Sequence, residues 1–190
     1  MRHAPINALL GLITIVGITS LTRSASAQAY IELGQYLGTP GQIVNYYNCV
    51  GVSSGNMSNG TPFVWGGCNA LPENGYTHAR DQALSFDTSD CIQSGGFSYC
   101  SLRDAMNYTK CMGVSGGSKS NQAAVKIWDC LGTSHPDQYW LLFPDNSTGC
   151  NIVYNYNSGM RLAMPDNLSS INLVQSNSSQ SEWCPHTVAP

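Results

Sequence analysis

The chain has 190 residues, of which only 10% are charged, and eight Lys and Arg against eleven Asp and Glu give a formal net charge of −3. No stripe gathers the few cations, which argues against nucleic acid and anionic membrane surfaces as partners. The even number of cysteines, all of them beyond residue 48, reads as disulfides formed in an oxidising compartment.

In chain order, the first element is an address. Ala8 to Leu21 is apolar but too short to span a bilayer comfortably. Ala25-Ser26-Ala27 then supplies the small residues that signal peptidase reads. The expectation is a signal peptide over 1–27, a secreted, extracellular chain and no membrane insertion. Residues 28–41 read as a tail or an edge segment, and 42–190 as one domain. Sequons at Asn56, Asn59, Asn107, Asn146, Asn167 and Asn177 fit a secreted glycoprotein with exposed loops.

The domain repeats. Asn48-Cys49-Val50-Gly51-Val52 leads to Phe63-Val64-Trp65-Gly66-Gly67-Cys68, and Lys110-Cys111-Met112-Gly113-Val114 leads to Val125-Lys126-Ile127-Trp128-Asp129-Cys130. Both pairs of cysteines enclose a Ser/Gly/Asn turn. Asp81-Gln82-Ala83-Leu84 follows the first pair and Asp137-Gln138-Tyr139-Trp140 the second. A weaker third copy runs from Met160 to Trp183, with Arg161 and Ser176 where cysteines stood. The units span about 42–104, 105–153 and 154–190.

Short apolar runs between Gly, Asn, Ser and Pro predict strands at Gln42–Tyr46, Val125–Trp128, Tyr139–Phe143 and Ile152–Tyr156. Arg80–Ala83 and Leu102–Met106 support single helical turns at most. Asn69–Ala79 and Gln93–Ala105 read as long loops that the second unit lacks. Three hairpin-bearing units cannot each bury a core alone, so they should close into one barrel with a hairpin cap, which leaves no free edge.

The Cys-apolar-x-Val opening, Gly60-Thr61-Pro62-Phe63-Val64, Ile127-Trp128-Asp129-Cys130 and Gln138-Tyr139-Trp140 resemble the ricin B-type lectin family. The likeness covers about Gln42 to Trp183, with the second unit most specific. It implies an all-β, disulfide-stapled β-trefoil in which Trp140 and Trp183 fill the core; the first unit has Leu84 for the Trp. It also implies Cys49–Cys68 and Cys111–Cys130 staples. Cys91 and Cys100, flanking Ser94-Gly95-Gly96, suit a loop staple, which leaves Cys150 with Cys184; the pairing of these four stays open at this point.

The same resemblance implies binding of glycans or glycoproteins without catalysis. Its parts would be an Asp two residues after the first cysteine, an aromatic two before the second, and an amide pair before the Trp. Carried across, these are Gly113, Trp128, Asp137 and Gln138, with Asn121 nearby, and a weaker second site at Trp65, Asp81 and Gln82. The Asp is missing everywhere: Gly51, Gly113 and Ala163 stand in its place. For Gln138 the competing reading is a barrel-stabilising amide, for Asp137 a turn residue after Pro136, and for Trp128 a hairpin aromatic.

No G-x-S-x-G elbow, H-E-x-x-H helix or C-x-x-C pair occurs, so neither nucleophile, metal nor cofactor is implied. His78, His135 and His186 all sit in polar, turn-like contexts. The alternative is a secreted protein-binding module such as a protease inhibitor, presenting one of the two long loops. Oligomeric state leaves no sequence signal.

Overall fold

Short apolar runs too brief for helices must pair laterally to satisfy their backbones. In a computed structural model, which describes residues 30–36, 47–67, 82–146, 150–166, 170–178 and 182–188, they form a 12-stranded sheet. The strands fall into three groups of four. The first is β1 (Tyr30–Tyr36), β2 (Tyr47–Val52), β3 (Phe63–Gly67) and β4 (Ala83–Ser94). The second is β5 (Phe97–Asp104), β6 (Lys110–Val114), β7 (Val125–Asp129) and β8 (Tyr139–Asp145). The third is β9 (Cys150–Asn155), β10 (Arg161–Ala163), β11 (Val174–Ser176) and β12 (Cys184–Val188).

The outer strands of each group close a barrel. β1 pairs with β4, β4 with β5, β5 with β8 and β8 with β9. β9 meets β12 through the Asn151–Trp183 bridge, and β12 returns to β1 over Tyr30–Gly34. The inner strands pair as hairpins: β2–β3, β6–β7 and β10–β11. Tyr30–Tyr36 is therefore no tail or edge segment. It is paired on both sides, with β4 and β2 as well as β12, and supplies the first barrel strand of its unit. By strand order the units begin at β1, β5 and β9, one strand earlier than the cysteine spacing suggests.

The hairpins are tied in a ring, each loop lying on the second hairpin strand of the next unit. The Gly60 N–H donates to the Ile127 carbonyl at 2.8 Å, and Gln122 N–H to Gln175 at 2.9 Å. The ring closes where Trp65 N–H donates to the Ile171 carbonyl at 2.9 Å. Bridges Pro62–Lys126, Ala124–Val174 and Val64–Asn172 repeat the pattern. Phe63, Val125 and Leu173 are its equivalent apolar residues, and all three are fully buried. Lys110 Nζ and Asn59 reinforce the first joint: the Asn59 Nδ2 donates to Asp129 at 2.7 Å, and Lys110 donates to Asp129 at 2.6 Å. The Asp129 carboxyl sits below its usual range because of the hydrogen bonds from Lys110 and Asn59.

Gly60 and Gln122 occupy the same place in this ring, and both have left-handed backbone, with φ of 88° and 63°. Gly adopts that region freely, whereas a side chain costs about 1–2 kcal/mol there. Gln122 also buries its Nε2 without a hydrogen-bond partner among the described residues. Gln122→Gly is thus expected to raise the unfolding free energy by about 1 kcal/mol, even with loss of the Gln122 Oε1 acceptor for the Asp166 N–H. A higher urea midpoint at unchanged slope is the readout.

The core joins Val50, Phe63, Leu84, Leu102, Met112, Ile127, Trp140, Val153, Leu162, Leu173 and Trp183. The structural role expected of the tryptophans holds. Trp140 Nε1 donates to the Met112 carbonyl and Trp183 Nε1 to the Leu162 carbonyl, both at 2.9 Å. The match of Met112 with Leu162 sets Arg161 opposite Cys111 in the repeat. The β10 register then puts Ser176 at the position of Trp128, two residues short of the cysteine place that the repeat gave it.

Gln93–Ala105 is not a loop. β4 and β5 continue past the barrel as a hairpin, turning at Gly95 and Gly96 with φ of 58° and 83°. Two successive positive φ values suit a tight two-residue hairpin turn, which Gly-Gly supplies without steric cost. Cys91 and Cys100 are cross-strand partners and form a disulfide. Below them Arg103 binds Asp87 at 2.9 Å and Asp90 at 3.0 Å, while the Tyr139 hydroxyl donates to Asp90 at 2.6 Å. Burial and the Asp90 carboxylate push the Tyr139 hydroxyl pKa well up.

Cys111 and Cys130 form the staple expected across the second hairpin. Cys49 and Cys150 are also disulfide-bonded, but Cys68 and the Cys184 side chain lie outside the described residues, so the Cys49–Cys68 and Cys150–Cys184 pairings do too. The same holds for residues 1–27, Gln42–Tyr46, Asn69–Ala79, Asp81 and Asn167. Among the described residues no helix is long and apolar enough to cross a membrane, and no group of three or more His, Cys, Asp or Glu could hold a metal.

Candidate functional site

The pleat of the β6–β7 hairpin sorts its side chains. Met112 and Ile127 are partners and fully buried, so their face is the core. Alternation then puts Cys111, Gly113, Lys126 and Trp128 on the opposite, outward face. Gly113 is the partner of Lys126, and Cys111 of Trp128. Trp128 is thus the diagonal neighbour of Gly113, about 7–8 Å away. Its ring is half-buried against Gly60, where an added Cβ would lie 3.7 Å from Cη2.

Asp137 covers the other side of Gly113. It lies in the 3-10 turn Pro136–Gln138, which begins with Pro and runs straight into β8. A Cβ on residue 113 would sit 3.3 Å from Asp137 Oδ2 and 3.0 Å from Gln138 Cγ. The space for a side chain at 113 is therefore already taken. The Asp that the ricin-type resemblance expects at 113 is absent, yet a carboxylate stands next to that position, reached from the other side of the hairpin.

Two residues hold Asp137 in place. Gln138 is almost fully buried; its Oε1 accepts from the Leu131 N–H and its Nε2 donates to the Asp129 carbonyl, both at 2.9 Å. Both ends of the amide are spent on backbone, so Gln138 positions the turn and does not face a ligand. The barrel-stabilising reading wins for this residue, because a buried amide needs both partners. Asn155, from β9, donates through Nδ2 to the Asp137 carbonyl at 2.8 Å. The third unit thereby braces the site of the second.

The Asp137 side chain is 12% exposed, and His135 Nδ1 lies 3.9 Å from its Oδ1. Burial raises the carboxyl pKa, against smaller lowering effects of its own backbone N–H and of His135. The carboxylate thus takes up a proton at a less acidic pH than an ordinary Asp.

The remaining sequence-predicted residues separate from this cluster. Asn121 lies on the hairpin loop and its Oδ1 accepts from the Asn177 N–H at 3.0 Å, so it serves the joint with the third unit. Among its described residues the first unit shows no equivalent platform. Gly66 holds the place of Trp128, and Trp65, one residue earlier, is turned toward the core and packs against it. The Trp65 Nε1 is buried and makes no hydrogen bond among the described residues. Gln82 is buried and has a partner, like Gln138, rather than facing outward.

The structure adds residues that spacing did not indicate. Lys126 stands across from Gly113 on the same face, which a hairpin register drawn from the cysteines would have shown. Asn157 bonds to the Gly117 carbonyl at 2.8 Å, and Gly117 lies against Asp137 Oδ1. No local pattern points to Asn157, because it arrives from the next unit.

No protein-family model and no curated protein matches this chain. Solved structures do match in fold. A designed threefold-symmetric protein, ThreeFoil, is 19% identical with a TM-score of 0.58, over 82% of this chain and 96% of its own. An exo-β-1,3-galactanase from Clostridium thermocellum is 15% identical with a TM-score of 0.57, over 86% of this chain and 31% of its own. A Polyporus squamosus lectin, solved bound to Neu5Acα2-6Galβ1-4GlcNAc, is 11% identical with a TM-score of 0.53, over 84% of this chain and 49% of its own. The chain spans half or less of the length of the last two. Likeness at these identities concerns architecture, and with the closed barrel and ring of hairpins it establishes the chain as an all-β, disulfide-stapled β-trefoil of three repeated units.

Proposed function

We propose that this chain is a secreted, non-catalytic lectin of the ricin B type that binds glycans or glycoproteins at its second unit. The observation that carries the proposal is the Asp137 carboxylate held against Gly113 on the face that Trp128 shares. A pyranose has an apolar face, which stacks on an indole, and a rim of hydroxyls, which a carboxylate accepts in pairs. The Trp128 ring supplies the first and Asp137 Oδ1 and Oδ2 the second, with Lys126 and His135 as donors at the margin. Burial strengthens the carboxylate contact, since a desolvated acceptor gains more from each hydroxyl. The Polyporus lectin, of the same fold, was solved with a sialylated trisaccharide, which supports a glycan as the ligand.

A glycan array probed with residues 28–190 tests this reading. Retention on a defined set of glycans is expected, with loss for Trp128→Ala and for Asp137→Ala in variants that remain cooperatively folded. No retention by the parent, or equal retention by both variants, refutes it. Acid should also release the ligand. The raised Asp137 pKa means that the acceptor is lost, as pH falls, earlier than for an ordinary Asp. Affinity measured by calorimetry from pH 7 downward should fall in that window, and should be flat in Asp137→Asn.

The protein-binding alternative has one observation in its favour. The tip of the β4–β5 hairpin, Gln93 to Ser98, is exposed and braced by the Cys91–Cys100 disulfide. Tight inhibition in a protease panel, lost on replacing that tip and accompanied by no glycan retention, would favour it.

A further inference from the structure

The outer wall of the barrel bears a group of aromatic rings that the proposed sugar site does not use. Phe97, at the tip of β5, is 44% exposed and Phe143, on β8, is 40% exposed. Their ring centroids are 5.9 Å apart and edge to face. Phe143 also meets Tyr154 at 6.4 Å, and the Arg161 guanidinium lies over the Tyr154 ring at 5.5 Å. Two phenylalanine rings exposed side by side leave apolar surface in water, which a group lying across them would shield.

The sequence supplies a candidate cover within the same hairpin. Phe143 is followed by Pro144, Asp145 and Asn146, and Thr148 completes an N-x-T sequon. Asn146 is exposed at the end of β8, where Asp145 pairs with Cys150. Three residues of chain span at most about 10 Å, so a sugar on the Asn146 amide is within reach of the Phe143 ring. The other described sequons lack this arrangement. Asn59 has its Nδ2 bonded to Asp129, Asn107 has its Oδ1 bonded to the Thr109 N–H and hydroxyl, and no aromatic residue lies three positions before Asn56, Asn107 or Asn177.

We propose that Asn146 carries an N-linked glycan whose first N-acetylglucosamine lies across the Phe143 ring. In the transfer, the Asn146 Nδ2 forms a bond to C1 of the sugar of a polyprenyl-diphosphate-linked oligosaccharide. The C1–oxygen bond to the diphosphate breaks, the diphosphate leaves with the electron pair, and one amide proton passes to a base of the transferase. The attached sugar then places its apolar face on Phe143, flanked by Phe97, and its hydroxyls in water. The benefit is mutual: the ring loses exposed area, and the glycan loses freedom at the linkage only.

Expression through a eukaryotic secretory pathway, followed by glycopeptide mass spectrometry, reads occupancy at Asn146 directly. Occupancy is expected, with loss in Thr148→Ala. Melting temperatures are then compared with and without Thr148→Ala in the parent and in Phe143→Leu, which keeps apolar bulk but has no ring. Loss of the glycan should lower the melting temperature by about 2–4 °C in the parent and leave the Phe143→Leu protein unchanged. The acetamide methyl of the first sugar should shift upfield by ring current in the parent only. An unmodified Asn146, or equal melting shifts in both backgrounds, overturns the proposal. None of these readouts depends on a ligand at Trp128 and Asp137, so the two proposals fail separately.

Discussion

Asp137→Asn is expected to weaken glycan binding sharply while making the fold more stable at neutral pH. The two effects have one cause. A hydrogen bond to a charged acceptor contributes about 1.5–3 kcal/mol, so replacing the carboxylate by an amide of equal shape should weaken binding on the order of 10- to 100-fold. The same carboxylate is desolvated in the fold, which raises its pKa above the ordinary 3.8. A raised folded-state pKa favours the protonated form; the stability it contributes is fully present below the unfolded-state value and is lost as pH rises through the folded one. At pH 7 the ionised group is therefore a net cost that Asn relieves. Thermal unfolding of parent and variant at pH 7 should show the variant melting higher, with the gap shrinking toward about pH 3. A variant that binds as the parent does would remove Asp137 from the site.

The closeness of Gly113 to Asp137 sharpens this experiment. Gly113→Asp alone should destabilise, since its Cβ would crowd Gln138 Cγ at 3.0 Å and its charge would face Asp137. Combined with Asp137→Asn, it returns the carboxylate to the position that the ricin-type resemblance leads one to expect. The double variant should regain part of the retention that Asp137→Asn loses, provided that Gln138 yields by a few tenths of an ångström.

Trp140→Ala is expected to produce the largest loss of stability of any single truncation. The ring is fully buried, and its Nε1 satisfies the Met112 carbonyl. Removing a buried Trp costs about 3–5 kcal/mol through lost burial and the cavity left behind, before the orphaned carbonyl is counted. Against a typical total of about 5–15 kcal/mol, that leaves the fold marginal. Trp140→Leu should cost less, because Leu84 already fills the equivalent place in the first unit and is fully buried there. Urea unfolding of the three proteins orders them, and an alanine variant as stable as the leucine one would contradict the core assignment.

The sequence made the architecture legible where chemistry repeats at fixed spacing. The Cys-apolar-Gly-Val openings located β2 and β6, and Gln138-Tyr139-Trp140 located the start of β8 and its core ring. β1 read only as a tail or an edge segment because it has no cysteine or Trp, and two of its three partners, β4 and β12, lie far along the chain. Gln93–Ala105 looked like a loop because its glycines were weighed above the alternation of the residues around them. At the site, Trp128 and Asp137 were found from the repeat. The closeness of Asp137 to Gly113 was not, since it depends on the depth to which the turn settles on the hairpin. Gln138 shows the limit of reading roles from residue types: an amide can serve a ligand or a backbone, and only burial distinguishes them.

The antiparallel pairing of β1 with β12 joins Tyr30 to Val188 across almost the whole of the described chain. During synthesis the first strand emerges long before its partner, so the cylinder stays open along one seam until translation reaches the last strand. Contacts of such sequence separation slow folding and leave β1 with an unsatisfied hydrogen-bonding edge in the interval. Chaperones of the compartment in which the chain folds would meet that edge first. The same proximity of Tyr30 and Val188 would let these two strands be joined directly and the domain reopened at a surface turn such as Gly95-Gly96, a circular permutation that would move the seam without altering the fold.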